Sequence, residues 1–350
     1  MSLVLHVDSA AWRRHLDEVH RADPDLVPVA KGNGYGFGLP RLAAQAARLG
    51  ADTLAVGTAP EVEVVRRGDA ERPGWSGDVV VLTPWRPDDP LAQEPLADPG
   101  VITTVSRVED AAALARSHPG ARVVLEVLTS MRRHGLGGAD LAEAVRAARG
   151  LEIVGWTIHL PMVGDHQQEA TDLATAALSA HRAPLWMSHL GAEGLDRLRE
   201  DLGVPVRHRV GTQLWLGAPA ALRHTSLITD LHRVVRGQRV GYWQRRVLDP
   251  RGAQVAVVSG GTAHGVAMES PTAAASPRQR LLSAAGGVLA ASQVAVSPFT
   301  VAGRKRVFVE PPHMQSSLVW LPASVEVSVG EEVEVTMRAT TALPDAVVME

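Results

Sequence analysis

At 350 residues the chain is long for a single hydrophobic core, so two domains are expected. A hydrophobic content of 45% with 21% charged residues is that of an ordinary soluble protein, and a net charge of −3 supplies no positive field for nucleic acid or an anionic membrane. The absence of cysteine excludes disulfides, thiolate zinc sites and thiol nucleophiles. The first residues, Met1 to Asp8, hold neither a basic stretch nor a long apolar one. No apolar run approaches the roughly 20 residues of a membrane span, so a cytoplasmic location without secretion signal or anchor is expected.

In chain order, the first expected element is a strand at Leu3–Val7. Eight short apolar runs follow: Leu26–Ala30, Thr53–Gly57, Val79–Leu82, Val101–Val105, Arg122–Leu128, Ile153–Ile158, Pro184–Ser188 and Val206–Arg209. They are rich in Val, Leu and Ile without strict alternation, as in strands buried on both faces. Helical patterns separate them. In Pro40–Leu49 the residues Leu42, Ala46 and Leu49 recur at helical spacing, and Gly50 is a stop signal. Alternating strands and helices imply parallel strands with helical crossovers, and eight such units predict a closed (β/α)8 TIM-like barrel over 8–220. An open doubly wound sheet is the competing arrangement.

After about Ala220 the helical period fades. Gln254–Val258 and Glu332–Met337 alternate or are β-branched, and 270–280 reads as an exposed loop rich in Pro, Ser, Thr and Ala. A mostly β domain over 221–350, joined by the strand of residues 1–7, is therefore expected.

In a parallel barrel the chemistry sits at the C-terminal ends of the strands. Lys31 ends the first barrel strand and opens Lys31-Gly32-Asn33-Gly34-Tyr35-Gly36-Phe37-Gly38. All but two of the 35 basic residues are Arg; the lysines are Lys31 and Lys305. A Lys kept amid such a bias is a candidate for work that Arg cannot do: forming an imine, or giving up its proton near neutrality. The glycines suit a phosphate-binding turn, but a dinucleotide fingerprint fails because Phe37 occupies the third glycine position. The Walker pattern is absent as well. Other strand ends carry Arg132, Arg133 and His134, then His159, Ser188 with His189, and Arg209. Singly, each reads as a surface Arg, a satisfied His or a capping Ser. Their common position on one barrel face is the informative part. The 14 histidines are scattered without a His-Glu-x-x-His, so no metal site is expected.

With these residues in hand, the chain resembles the alanine racemase family of pyridoxal-phosphate enzymes. Val29 to Gly38 resembles the family's cofactor-lysine signature, and Thr129-Ser130-Met131-Arg132-Arg133-His134-Gly135 its Thr-Gly-Met-Gly-Arg-x-Gly. Arg209-Val210-Gly211 is similar to Arg-Pro-Gly, and Val240-Gly241-Tyr242 to the motif of the second base. The resemblance implies that Lys31 binds pyridoxal 5'-phosphate covalently and that Tyr35, Gly211 and Thr212 reach its phosphate. It implies that His159 packs on the cofactor ring, Arg209 faces the ring nitrogen, and Arg133 lies near the phenolate oxygen and the substrate carboxylate. Ser188 falls where the family has a cofactor-contacting pair. Lys31 and Tyr242 would be the two catalytic bases. A head-to-tail homodimer is implied, in which Tyr242 and Met314 complete the partner's site. The expected reaction is interconversion of L- and D-alanine, which makes a D-amino acid for the cell wall.

The chain also departs from the pattern. Glu126 stands where the family usually has a lysine, often carbamylated, and Leu128 where it has Asp. An anion at 126 could brace Arg133 directly. Gly261-Thr262-Ala263-His264-Gly265 replaces Gly-Tyr-x-Asp-Gly, and His313-Met314-Gln315-Ser316 replaces Cys-Met-Asp-Gln. A phosphate-binding tyrosine near the C-terminus cannot exist, because Tyr35 and Tyr242 are the only two. Alternatives are a racemase of serine or a larger amino acid, suggested by Thr262 and His313, and a non-catalytic carrier of the cofactor, which would need Lys31 but no second base. Related barrel decarboxylases rely on a Cys that this chain lacks, and a purely structural module would need none of these residues together.

Overall fold

The computed structural model describes residues 3–268 and 295–350. The loop expected at 270–280 lies outside them. The chain forms two compact units: one of Arg13–Gly34 with Gly38–Gly217, the other of the described parts of Met1–Trp12, Tyr35–Phe37 and Ala218–Glu350.

Strand β1 (Val4–Val7) and helix α1 (Ser9–Ala22) open the chain. The barrel unit then runs β2 (Val27–Pro28), α2 (Leu39–Arg48), β3 (Thr53–Val56), α3 (Pro60–Arg67), β4 (Asp78–Val81) and β5 (Val101–Val105). It continues with α4 (Val108–Ser117), β6 (Arg122–Val127), α5 (Leu141–Ala147), β7 (Glu152–His159) and α6 (Gln167–Ala180). It ends with β8 (Leu185–Ser188), α7 (Ala192–Leu202), β9 (Val206–Val210) and α8 (Thr212–Leu216). All eight expected strands, β2 to β9, are present in one parallel sheet. A bridge between Val29 and Ala55, with Ala30 N–H donating to the Ala55 carbonyl at 2.8 Å, closes that sheet into a barrel and excludes the open alternative.

One crossover differs from expectation. Between β4 and β5 the chain makes two single-turn 3₁₀ segments, Pro90–Ala92 and Glu94–Ala97, in place of an α-helix. Pro84, Pro87, Pro90 and Pro95 remove the N–H groups that a longer helix would need. Elsewhere the helical pattern holds: α2 buries Leu39, Leu42, Ala43 and Ala46, and Gly50 follows it at φ +79°.

The barrel is filled by side chains. Val27, Val29, Ala55, Val80, Ile102, Val124 and Trp186 form one buried cluster. Trp186 reaches it because residue 155 is glycine; a Cβ there would lie 2.5 Å from the indole nitrogen. Strand parity then fixes what lies higher. Glu126 is two residues beyond Val124, and Arg209 pairs in register with Val27, so both face the barrel interior.

The second unit is a β structure of β1 with β10 (Leu222–Val234), β11 (Arg239–Val240), β12 (Arg245–Arg246), β13 (Ala253–Ser259) and β14 (Val296–Val301). It is completed by β15 (Arg304–Phe308), β16 (Ser316–Pro322), β17 (Glu332–Val335) and β18 (Ala346–Met349). The long β10 pairs with β1 and β17 through its first half and with β13 through its second. Six strands, β13-β16-β15-β14-β17-β10, thereby form a closed circuit, which β1 and β18 extend. Alternation explains its core: in β17, Val333 and Val335 are buried while Glu332 and Glu334 are exposed. Phe299 and Phe308 pack edge to face at 6.4 Å in the same core. Strands β11 and β12 form a separate two-stranded hairpin.

Candidate active site

Lys31 follows β2 on the C-terminal rim of the barrel. The backbone after it alternates through the left-handed region at Gly32, Gly34, Tyr35 and Gly36, with φ of 61°, 61°, 53° and 87°. Gly34 is required there, since a Cβ would stand 2.8 Å from the Leu39 nitrogen. Tyr35 has no such exemption; it is buried, and a non-glycine residue in this conformation costs about 1 kcal/mol or more, which its packing must offset.

Glu61, in the first turn of α3, ties two strand ends together. Its carboxylate accepts N–H bonds from Gly57 at 2.7 Å and from Gly32 at 3.0 Å. Sequence reasoning passed over this residue; the signal was an acidic side chain directly after Pro60 at a helix start, beside a strand end. A Cβ on Gly57 would lie 3.0 Å from the Lys31 Cβ, so the glycine also makes room for the lysine stem. Loss of solvation, and then the charges of Arg133 and Arg209, hold the Lys31 ammonium below its ordinary pKa, while Glu61 opposes them.

The next groups lie inside the barrel. Glu126 Oε1 is 3.8 Å from Arg133 Nη2. Glu126 is buried, and burial raises its carboxyl pKa against the pull of Arg209, Arg133 and Arg86. Arg209 is buried as well, donating weakly to the Ile158 carbonyl at 3.4 Å, and burial pushes its pKa down to about 10. It therefore stays a cation at neutral pH. His159 is pushed down to about 3 by burial, then by Arg209, Arg133, His189 and Lys31, which makes it a neutral ring. The His189 ring sits 4.8 Å from it and is anchored through Nδ1 to the Leu160 carbonyl at 2.8 Å. Ser188 is buried and pairs in register with His159. Gly211 and Thr212 follow Arg209 after Val210, at the start of α8.

Of the residues named from sequence, the barrel unit thus gathers Lys31, Arg133, His159, Ser188 and Arg209 at one end. Tyr35, Tyr242 and Met314 belong to the other unit. There Tyr242 stands in the turn of the β11–β12 hairpin and is 84% exposed, with Trp243 73% and Met314 69% exposed.

Inside the barrel four buried polar atoms have no hydrogen-bond partner among the described residues: Thr157 Oγ1, Trp186 Nε1 and the charged pair Glu126 Oε2 and Arg209 Nε. Buried polar atoms are ordinarily satisfied, so the charged pair calls for a polar ligand. A lysine, two arginines and a neutral imidazole around them suit an anionic aromatic group that a lysine can bind covalently. Pyridoxal phosphate fits that set. Among the described residues no group of three or more His, Asp or Glu side chains is placed to hold a metal ion. No helix among them is long and apolar enough to cross a membrane.

A filled parallel barrel with a lysine and arginines on its C-terminal rim, accompanied by a separate β unit, defines a two-unit barrel enzyme. Residues 7–192 match the family model described as alanine racemase, N-terminal domain. An alanine racemase of Deinococcus deserti is 32% identical over 296 residues, covering 74% of each chain. Among solved structures, an alanine racemase from E. faecalis superposes with a TM-score of 0.68 at 20% identity, over 99% of this chain and 97% of that one. Another, from Bartonella henselae with covalently bound pyridoxal phosphate, gives 0.67 at 18% identity over 96% and 91%. The chain belongs to the alanine racemase family.

Proposed function

We propose that this protein is a pyridoxal-phosphate-dependent racemase that interconverts L- and D-alanine. The observation that carries the reading is the buried pair Glu126 and Arg209, each with a partnerless polar atom, beneath the more exposed cations Lys31 and Arg133, a set whose opposed charges suit that cofactor in a chain of this family. Lys31 would hold the cofactor, Arg209 would face its ring nitrogen, His159 would pack on the ring, and Tyr35, Ser188, Gly211 and Thr212 would supply further contacts.

When bound, the cofactor ring stabilises the electron pair left at Cα after the α-proton departs. The protein's part is to place groups and move protons. Arg133 binds the substrate carboxylate and fixes the plane of the reacting carbon, with Glu126 beneath it. Arg209 keeps its own proton, since guanidinium does not release it at working pH, so the ring nitrogen is left unprotonated. This restrains the electron sink and disfavours side reactions. His159, being neutral, adds no charge that would compete with Arg209. Lys31 Nζ, whose pKa is lowered, takes a proton from one face of Cα; the Tyr242 phenol delivers one to the other face. The reverse reaction exchanges the two roles.

Tyr242 and Met314, with Trp243, are large apolar side chains left open on their own unit, which supports a head-to-tail homodimer in which Tyr242 of the partner subunit serves each site. The reading carries with it a cytoplasmic location.

A racemase of a larger or more polar amino acid is the second reading. Thr262 donates its N–H to the His313 carbonyl at 2.8 Å, so two departures from the family pattern stand side by side. Incubation of the loaded protein in D2O with a panel of L-amino acids, reading chirality and Cα deuterium together, tests both. Deuterated D-alanine as the leading product is expected. Faster inversion of another amino acid would establish the second reading, and no exchange with any would overturn both.

A further inference from the structure

The β unit contains a constellation that no family motif accounts for. The hairpin turn carrying Tyr242 rests on a buried carboxylate, Glu310, whose side chain is 1% exposed. Glu310 Oε2 accepts the Trp243 N–H at 3.1 Å. Gly241, at φ +75°, permits this approach, since a Cβ at that position would collide with the Glu310 carboxylate. The other oxygen, Oε1, lies 2.8 Å from His313 Nε2. The far side of the same arrangement is Tyr242 itself, whose ring centroid is 4.7 Å from that of His313 with the planes tilted by 42°. One carboxylate therefore fixes both the backbone of the turn and the imidazole against which the phenol packs.

We propose that Glu310 and His313 act as positioning residues for Tyr242, holding its phenol in one place and orientation for proton transfer. The proposal rests on the reading of Tyr242 as the second base.

The chemistry supports a directed dyad. Burial alone would raise the Glu310 pKa, but hydrogen bonds from His313 and from the Trp243 and Tyr242 backbone hold it below the ordinary carboxylate range. An ionised carboxylate only accepts, so His313 donates from Nε2, and the tautomer and ring plane follow. An imidazole pinned in this way restricts a side chain that is otherwise 84% exposed and would sample several rotamers. A freely rotating phenol spends most of its time out of line with Cα, and misplacement by about 1 Å can cost on the order of 100-fold in rate.

Because the chain has only two tyrosines, the arrangement can be read directly in the full-length, cofactor-loaded protein with ring-labelled tyrosine. Tyr242→Phe assigns the signal. In the wild type the Tyr242 ring resonances are expected to be displaced from the free-tyrosine position by the His313 ring current. They should return towards it in His313→Asn and move part of the way in Glu310→Gln. Racemisation should fall about tenfold or more in His313→Asn, equally in both directions because the equilibrium constant is one, with KM and cofactor affinity unchanged. Cα exchange without inversion, catalysed from the Lys31 face, should persist. His313→Phe keeps an aromatic neighbour without the Glu310 bond, and should recover less than half of the lost rate.

Wild-type Tyr242 signals at the free-tyrosine position, or full inversion by His313→Asn, would overturn the proposal. Full inversion by Tyr242→Phe would instead overturn Tyr242 as a base. The ring signals still report whether the dyad holds Tyr242, so the two failures are distinct.

Discussion

Glu126 and Arg133 face each other at 3.8 Å, one buried and the other half exposed, and the second oxygen of Glu126 has no partner among the described residues. At this separation, with one partner half exposed, the contact is an ion pair rather than a hydrogen bond and contributes about 0.2–1 kcal/mol, or roughly up to fivefold in rate if it is felt only in the transition state. Glu126→Gln is therefore expected to lower turnover by about that factor while cofactor affinity changes little. The raised Glu126 pKa adds a pH signature: on acidification the wild type should lose activity at a pH where exposed carboxylates are still charged, and that limb should be missing from the variant. Equal turnover in wild type and variant across the pH range counts against the brace.

His159 should make the unloaded protein acid-sensitive. Its folded pKa of about 3 lies below the ordinary 6.5, so the unfolded chain binds the proton more readily. The contribution to stability is complete above pH 6.5 and is lost as the pH falls towards 3. Thermal melts of apoprotein across that range should show a declining Tm, with a shallower decline in His159→Asn. Parallel slopes would mean that the histidine titrates normally.

Gly57→Ala places a methyl group 3.0 Å from the Lys31 Cβ and 3.2 Å from Glu61 Oε2. Overpacking of this kind costs about 1–3 kcal/mol and displaces whatever can move, here the lysine stem and the carboxylate that ties the loops. Cofactor affinity, followed by titration of the apoprotein, should weaken several-fold while the far-ultraviolet spectrum is unchanged. Unaltered affinity would show that the pocket gives way elsewhere.

Lys31→Arg keeps the charge and removes the imine chemistry. Inversion should fall by at least about 100-fold, the lower range for losing an acid–base group. Borohydride reduction of the loaded wild type, followed by peptide mass analysis, should tag Lys31 and leave Lys305 untouched; no tag should appear in the variant. Label on Lys305 alone contradicts the assignment.

The barrel was legible because buried parallel strands leave unmixed apolar runs, and each of the eight runs became a strand with ends shifted by at most two residues. The break in the pattern, the β4–β5 crossover, is written in its five prolines, while its length alone is that of a helical crossover. Lys31, Arg133 and Arg209 were visible through residue type and position at strand ends. Glu61 and Glu310 were not. Each acts through backbone N–H groups and a neighbouring side chain, and a carboxylate at helix start or strand end has many ordinary uses. Only folding shows that Glu310 meets both Trp243 and His313.

Strand β1 pairs in parallel with β18, Val4 opposite Ala346, and antiparallel with β10, Val4 opposite Thr225. On the ribosome this has a temporal meaning. At roughly 5–20 residues per second, the whole barrel is synthesised while β1 waits, and its second neighbour arrives on the order of tens of seconds later. Most of the barrel's strand pairs join consecutive units, and the pair that closes it, Val27 with Arg209, can form once β9 has been made. The β unit, which carries Tyr242, is thus the last part to mature, and a nascent chain passes through a stage with a finished cofactor barrel and an unpaired leading strand.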